Sequence, residues 1–253
     1  MRQIPVFYSV IIGTELLNGR REDSHFAFLN RALRVRGWEH KANFVVKDDA
    51  KLLESLYWMI AQDPAAVMFS FGGIGSTPDD FTREVAARAF TGKAPVRHPQ
   101  AEKIILEQLK ERAYPHPIKM ADLPEGAGLI ENPVNRMPGF QIEERFFFLP
   151  GFPQMAHPMI EGILDTRYPR NSPKYSCNFL VEASEALLID IMEQLPEDLE
   201  LSCLPAFQGE KRTAEIYLAD IDEAKLRKWC NFFKEELHKI GLQFKEVEKN
   251  GHH

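Results

Sequence analysis

A two-domain α/β protein is the fold class this sequence predicts. Residues 1–168 read as a three-layer α/β/α domain with a mostly parallel sheet, and residues 175–253 as a small α+β, ferredoxin-like domain. Two observations carry the prediction. Apolar runs that end in glycine or acidic residues alternate with segments of helical periodicity through the first domain, which is the pattern of right-handed crossovers covering both faces of a parallel sheet. Beyond Arg167–Lys174, a stretch with two prolines and no periodicity, the order changes to β-α-β-β-α-β, the split arrangement of ferredoxin-like folds.

Val6–Ile12 is an apolar run closed by Gly13, as a strand buried on both faces requires. Ser24 is placed to cap a helix in which Phe26, Leu29 and Leu33 recur at helical spacing up to Gly37, a residue suited to end it. Asn43–Val46 reads as the second strand, and Asp48 or Asp49 caps a helix with Leu52, Leu53, Leu56 and Ile60 on one face. Ala65–Phe71 is the third strand, followed by Pro78, Asp79 and Asp80 as the opening of a helix through Phe90. A further helix spans His98–Arg112, and Tyr114–Met120, with two prolines, is a loop. Phe140–Ile142 and Arg145–Leu149 flank Glu143 and Glu144 like a hairpin. Leu149-Pro150-Gly151-Phe152-Pro153 then breaks the pattern before a last helix through Leu164.

In the second domain, strands are expected at Tyr175–Val181, Leu199–Phe207, Arg212–Leu218 and Leu242–Val247, with a turn at Gln208-Gly209-Glu210-Lys211. The helices are Ser184–Leu195 and the amphipathic run of Leu226, Trp229, Phe233, Leu237 and Ile240, ended by Gly241. Packing or an oligomer surface accounts for this domain without any chemistry.

Composition narrows the function. A net charge of −6, a sequence pI near 5.8 and no Lys/Arg run argue against a nucleic-acid binder. Arg20, Arg21, Arg31, Arg34 and Arg36 read as solvated faces. Cys177, Cys203 and Cys230 are odd in number and far apart in sequence, so reduced cytosolic thiols are expected, with no disulfide framework or zinc cluster. No stretch is long and apolar enough for a membrane span, so a cytoplasmic protein is expected. His252 and His253 receive no role.

Chemistry concentrates at the ends of the first-domain strands. Gly72, Gly73 and Gly75 permit positive φ and a close approach of backbone N–H groups to a ligand, and Ser76 and Thr77 add hydroxyl donors. A tight turn with a helix cap is the competing reading of this stretch alone. It matches neither the P-loop nor the dinucleotide fingerprint. In a parallel sheet, however, strand ends converge on one edge. That edge gathers Gly13, Glu15 and Asp23 after the first strand, Asp48 and Asp49 after the second, and Asp79 and Asp80 after the third. Such hard oxygen ligands suit a divalent ion bound partly through substrate phosphates.

Five motifs in order carry a family resemblance. They are Gly13-Thr14-Glu15-Leu16-Leu17-Asn18-Gly19 with Asp23-Ser24-His25; Val45-Val46-Lys47-Asp48-Asp49; Gly72 through Glu84; Asn132-Pro133 leading to Pro138-Gly139-Phe140; and Leu149 through Met155. Together they resemble the molybdopterin-binding (MoaB/Mog-like) superfamily of molybdenum-cofactor biosynthesis, and within it the competence/damage-inducible CinA-like branch and the N-terminal domain of eukaryotic FAD synthase. The resemblance covers nearly all of residues 4–166, and the β-α-β-β-α-β segment resembles the small domain that accompanies that branch.

The resemblance implies several roles. Gly72, Gly73, Gly75, Ser76 and Thr77, with Gly13 and Glu15, would bind the ligand or its phosphates; Asp80 and Asp48 would be catalytic; and Asp80, Asp48 and Asp23 would hold a divalent metal such as Mg²⁺, Mn²⁺ or Co²⁺. The activity implied is a metal-dependent nucleotide pyrophosphatase acting on a dinucleotide such as ADP-ribose or FAD. Alternatives are a molybdopterin-binding protein, with molybdopterin as ligand, and a non-catalytic nucleotide sensor or assembly module. A nucleotide or pterin ligand and self-association are expected, with no membrane or nucleic-acid partner. Two departures stand out: His25 replaces the asparagine of the usual Asp-Thr-Asn, and Ser76 stands where proline is common. The chain does not extend into a deamidase or flavin adenylyltransferase domain, so neither activity is implied.

Overall fold

Strand β1 (Val6–Ile12) pairs in parallel with both β2 (His40–Val46) and β3 (Ala66–Phe71). The computed structural model describes residues 4–168, 170–171, 174–208 and 211–247. Gly209, Glu210, His252 and His253 lie outside them. Contacts divide the chain into two units, Met1–Asn171 and Ser172–His253.

In the first unit, α1 (Thr14–Leu17) and α2 (His25–Val35) follow β1, α3 (Ala50–Ala61) follows β2, and α4 (Thr82–Thr91) follows β3. Next come β4 (Val96–Arg97), α5 (Pro99–Leu109), β5 (Asp122–Leu123), β6 (Gly128–Ile130), β7 (Gly139–Ile142), β8 (Phe146–Leu149) and α6 (Pro153–Arg167). The main sheet has the order β2-β1-β3-β8-β7-β6, parallel through β8, with β7 antiparallel to both of its neighbours. The expected hairpin therefore forms, and its second strand adds to the parallel set.

Burial explains the unbroken apolar runs. All six residues of β3 are buried, and because side chains alternate across a strand they serve two cores. Met68 packs with Leu53, Tyr57 and Ile105 of α3 and α5. Phe69 and Phe71 pack with Leu29 and Leu33 of α2 and Ile160 and Leu164 of α6. The polar exception is Ser70, whose hydroxyl is 2.6 Å from the buried Tyr57 hydroxyl, which satisfies both groups.

Several boundaries differ from the sequence reading. α2 is capped by Asp23, whose carboxylate accepts from the amides of His25 and Phe26 at 2.8 and 3.0 Å, while Ser24 makes no side-chain cap bond. Asp49, not Asp48, caps α3, accepting from Lys51 and Leu52. α4 starts at Thr82, since Pro78–Asp80 belong to a turn closed by the Asp80 amide on the Thr77 carbonyl. The stretch expected as a loop contains a 3₁₀ helix at Pro117–Ala121, and α5 ends at Leu109 in another 3₁₀ turn.

The second unit contains β9 (Tyr175–Val181), α7 (Ile189–Met192), β10 (Glu200–Gln208), β11 (Lys211–Asp220), α8 (Glu223–Lys239) and β12 (Phe244–Glu246). Its sheet order, β10-β11-β9-β12, is antiparallel throughout. The helix expected at Ser184–Leu195 is reduced to a 3₁₀ turn and the four-residue α7, which still bury Leu188, Ile191 and Leu195.

Cysteine usage is a correction. Cys177 of β9 and Cys230 of α8 form a disulfide with their Cα atoms 6.7 Å apart, and Cys203 is free. A sequence separation of 53 residues concealed the pair, because strand and helix packing, not chain distance, brings the two Cβ atoms together. Alkylation of the unreduced, denatured protein should therefore label one thiol per chain, rising to three after reduction. Labelling of three thiols without reduction would show that the bond does not form.

Candidate functional site

Loops after β1, β2, β3 and β8 wall a single cavity of about 710 Å³. Gly13, Glu15, Asp23, Asp48, Gly72, Gly73, Gly75, Thr77 and Asp80 all line it, so the fold brings these sequence candidates together. Ser76 is the exception. It lies in the loop but does not line the cavity.

The glycine loop is shaped by two constraints. Gly72 has φ of 101°, and a Cβ there would lie 2.8 Å from the Ile12 carbonyl oxygen, so both conformation and space exclude a side chain. At Gly75 only space matters, because a Cβ would meet the Asp80 carboxylate at 2.5 Å. Thr82, fully buried, holds the loop against α4: its hydroxyl donates to the Gly72 carbonyl and its amide to the Gly73 carbonyl, each at 3.0 Å. Arg83, also buried, donates through one guanidinium nitrogen to the Gly75 carbonyl at 2.7 Å and through the other to the Lys119 carbonyl.

The two carboxylates expected to be catalytic are oriented alike. Asp48 Oδ2 accepts from the Thr14 amide at 2.8 Å and the Thr14 hydroxyl at 2.7 Å. Asp80 Oδ2 accepts from the Thr77 amide at 2.8 Å and from the Thr77 hydroxyl. In each case both bonds fall on one oxygen, which fixes the carboxylate plane. Thr14 was a motif residue without a role in the sequence; its partner sits 34 residues away.

Asp80, Asp48 and Asp23, expected as a metal set, all line the cavity but do not form one cluster. Among the described residues no group of three or more His, Cys, Asp or Glu side chains is arranged to hold an ion. Asp23 also accepts from the amides of His25 and Phe26 at the start of α2. The donor chemistry still fits a hard cation held by one or two carboxylates together with ligand phosphates.

These features define a class: a small-molecule-binding α/β domain with its site at the carboxyl edge of a parallel sheet. The chain belongs to the molybdopterin-binding domain family, since the family described as "Probable molybdopterin binding domain" matches residues 9–170. A Pyrococcus furiosus protein is 30% identical over 256 residues, covering 94% of this chain and 97% of that protein. A CinA-like protein from Nostoc punctiforme is 34% identical over 160 residues, covering 60% of this chain but 38% of the relative's length. The solved structure of CinA from Thermoplasma acidophilum, of unknown function, has a TM-score of 0.58 at 26% identity and covers 64% of this chain and 97% of its own. No helix among the described residues is long and apolar enough to cross a membrane.

The buried His25 lines the cavity, with the half-buried His157 against it. His25 stacks on Phe71 with centroids 4.4 Å apart, and its Nε2 lies 3.2 Å from the Gly151 carbonyl oxygen. A carbonyl only accepts, so Nε2 is assigned the proton and Nδ1 has none. The residue that departs from the family's asparagine thus still makes a polar contact, to the loop after β8. His157 stands edge-on to His25 at 5.3 Å and stacks on Phe28 at 3.8 Å. Burial holds His25, His40 and His157 below the ordinary imidazole pKa, and for His157 the neighbouring His25 adds to the effect. The unfolded chain therefore binds more protons just below the ordinary value, so stability is full above about pH 6.5 and falls as pH drops through the window down to the folded pKa values. Urea unfolding at pH 7.5 and 5.5 should show lower stability at 5.5, and His157→Phe, which keeps the stack, should reduce the difference without abolishing it, since His25 and His40 remain. A pH-independent midpoint would contradict neutral burial.

Proposed function

We propose that this protein is a metal-dependent nucleotide pyrophosphatase acting on a dinucleotide such as ADP-ribose or FAD. The observation that carries the reading is the meeting of a glycine-rich loop with Asp48 and Asp80 in one cavity large enough for a nucleotide. Hydrolysis adds water across the bridging P–O–P linkage: one P–O bond breaks, one forms from the water oxygen, and two monophosphates leave. Because the Gly72 and Thr77 amides already donate to the Leu149 carbonyl and to Asp80, the amides of Gly73 and Gly75 would hold a phosphate. Asp48 and Asp80, each fixed through Oδ2 by a threonine, would hold the ion or accept the proton released from water. A divalent ion, when bound, supplies a water of lowered pKa and offsets charge developing on phosphorus.

The family's description supports a second reading, a molybdopterin-binding protein. The same cavity would then take a pterin, whose phosphate would seat on the same loop. Assay of ADP-ribose and FAD with Mg²⁺, Mn²⁺ and Co²⁺, followed by chromatography of the products, separates the two. Turnover with AMP among the products is expected, and its absence with every metal sinks the pyrophosphatase reading. Tight binding of molybdopterin without turnover would support the second. Asp80→Ala and Asp48→Asn should each lower kcat by about 100-fold or more while the far-ultraviolet circular dichroism is unchanged.

A further inference from the structure

We propose that the outer edge of β10, in the second unit, is a docking site for an extended, basic segment of a partner protein, which adds to the sheet as a fifth strand. This surface lies outside the cavity and does not depend on the reaction proposed above.

β10 stands first in the order β10-β11-β9-β12, at the edge of the sheet. Backbone groups on the outer side of such a strand are open to an added strand. The side chains there are apolar. Leu201 and Cys203 stand opposite Leu218 and Ile216, which are buried in the core, so by alternation they share the helix-covered face with Phe207; Leu204 stands opposite Glu215 on the other face. Phe207 is nevertheless 72% exposed, Leu204 58% and Leu201 38%.

The surface continues onto the neighbouring turn. Leu188 and Ile191 are buried, while Leu187 and Ile189 beside them remain exposed. The 3₁₀ turn at Glu185–Leu187 lies against β10. Burial, and the Glu185 carboxylate beside it, hold the Cys203 thiol above its ordinary pKa, which places that carboxylate at the strand. Single exposed apolar residues are ordinary on a surface, but a cluster of them along a strand edge marks an interaction site.

Charge selects the partner. Residues 182–200 contain seven carboxylates and no Lys, Arg or His. Lys174 and Lys225 pair with Glu200 and Asp198 at 2.7 and 2.8 Å, whereas Glu185, Asp190, Glu193 and Glu197 have no ion-pair partner among the described residues. Basic side chains on an added strand would meet these carboxylates. A second copy of β10 fits less well. Antiparallel self-pairing about Leu204, the middle of this nine-residue strand, sets Pro205 opposite Cys203 twice, and proline has no amide to give. Self-pairing would also bring two acidic segments together. For a partner strand, Pro205 removes a single rung.

The test is fluorescence polarisation of a labelled peptide as long as β10, alternating Lys and Val, titrated with the full chain. Saturable binding is expected, weakening at least tenfold between about 50 mM and about 500 mM NaCl. Peptides with Glu for Lys, Ser for Val, or N-methylated amides should bind at least tenfold more weakly. Leu204→Ser with Phe207→Ser should lose at least tenfold, and Glu193→Gln with Glu197→Gln at least threefold. Trp58→Ser, which removes a comparably exposed side chain from the first unit, should leave binding unchanged. No saturable binding, equal binding of the Lys/Val and Glu/Val peptides, or unchanged binding in the serine variant would each overturn the proposal. A dimer of the native chain that Leu204→Ser dissociates in sedimentation would assign the edge to a second copy and overturn it as well. If the serine variant does not fold, the peptide series and the glutamine variant decide.

Discussion

Parallel pairing of β2, β1, β3 and β8 is the constraint on which the rest of the first unit depends. Parallel strands must all end on the same edge, and helices must cover both faces, so the sheet has no polar face on which to place a site. Polar groups are left the carboxyl edge. There Thr14, Asp48, Asp80 and Asn132 come together from positions as far as 118 residues apart (132 − 14). Had β8 joined the sheet only as the outer half of an antiparallel pair, the Gly151 loop would leave from the opposite edge.

A loop of three glycines gains little from burial and loses much entropy on ordering, so the glycine loop must be held by directed bonds. Thr82 supplies two of them and is itself fully buried, as a hydroxyl with a fixed partner can be. Arg83 supplies another through a guanidinium that burial disfavours in its charged form. Its donation to the Lys119 carbonyl ties the same loop to the 3₁₀ helix at Pro117–Ala121. The segment that sequence composition marks as an irregular, proline-bearing loop is therefore part of what keeps the glycine loop in place.

How much of this could be read from the sequence depended on the range of the interactions. The glycine loop and Asp80 were legible because their geometry is local: Thr77 and Asp80 are three residues apart, and a Cβ on Gly75 would meet that same Asp80 carboxylate. The strands were legible because burial on both faces leaves uninterrupted apolar runs. The cap of α2 was misassigned by one residue, since Asp23 and Ser24 are equally competent acceptors and only the entry angle of the chain decides between them. Cys177 with Cys230, and the orphaned amide of Asn132, were not legible at all. Each follows from tertiary packing, one through the face that β9 turns to α8 and the other through the bond that commits Asn132 Oδ1 to Val134.

The same distinction explains why Gly72 and Gly151 are glycine for different reasons. Gly72 needs its φ of 101° and the absence of a Cβ. Gly151 faces no conformational demand of that kind; what a side chain there would disturb is the contact with Gly72. Removing one side chain thus shapes a loop, and removing the other sets the distance between two loops. Because β3 and β8 are hydrogen-bonded neighbours, with the Gly72 amide donating to the Leu149 carbonyl at 3.0 Å, that distance is tied to the sheet register itself. The spacing of the two loops is therefore set by strand pairing, while the Asp48 and Asp80 carboxylates are oriented by threonines on the more exposed turns after β1 and β3.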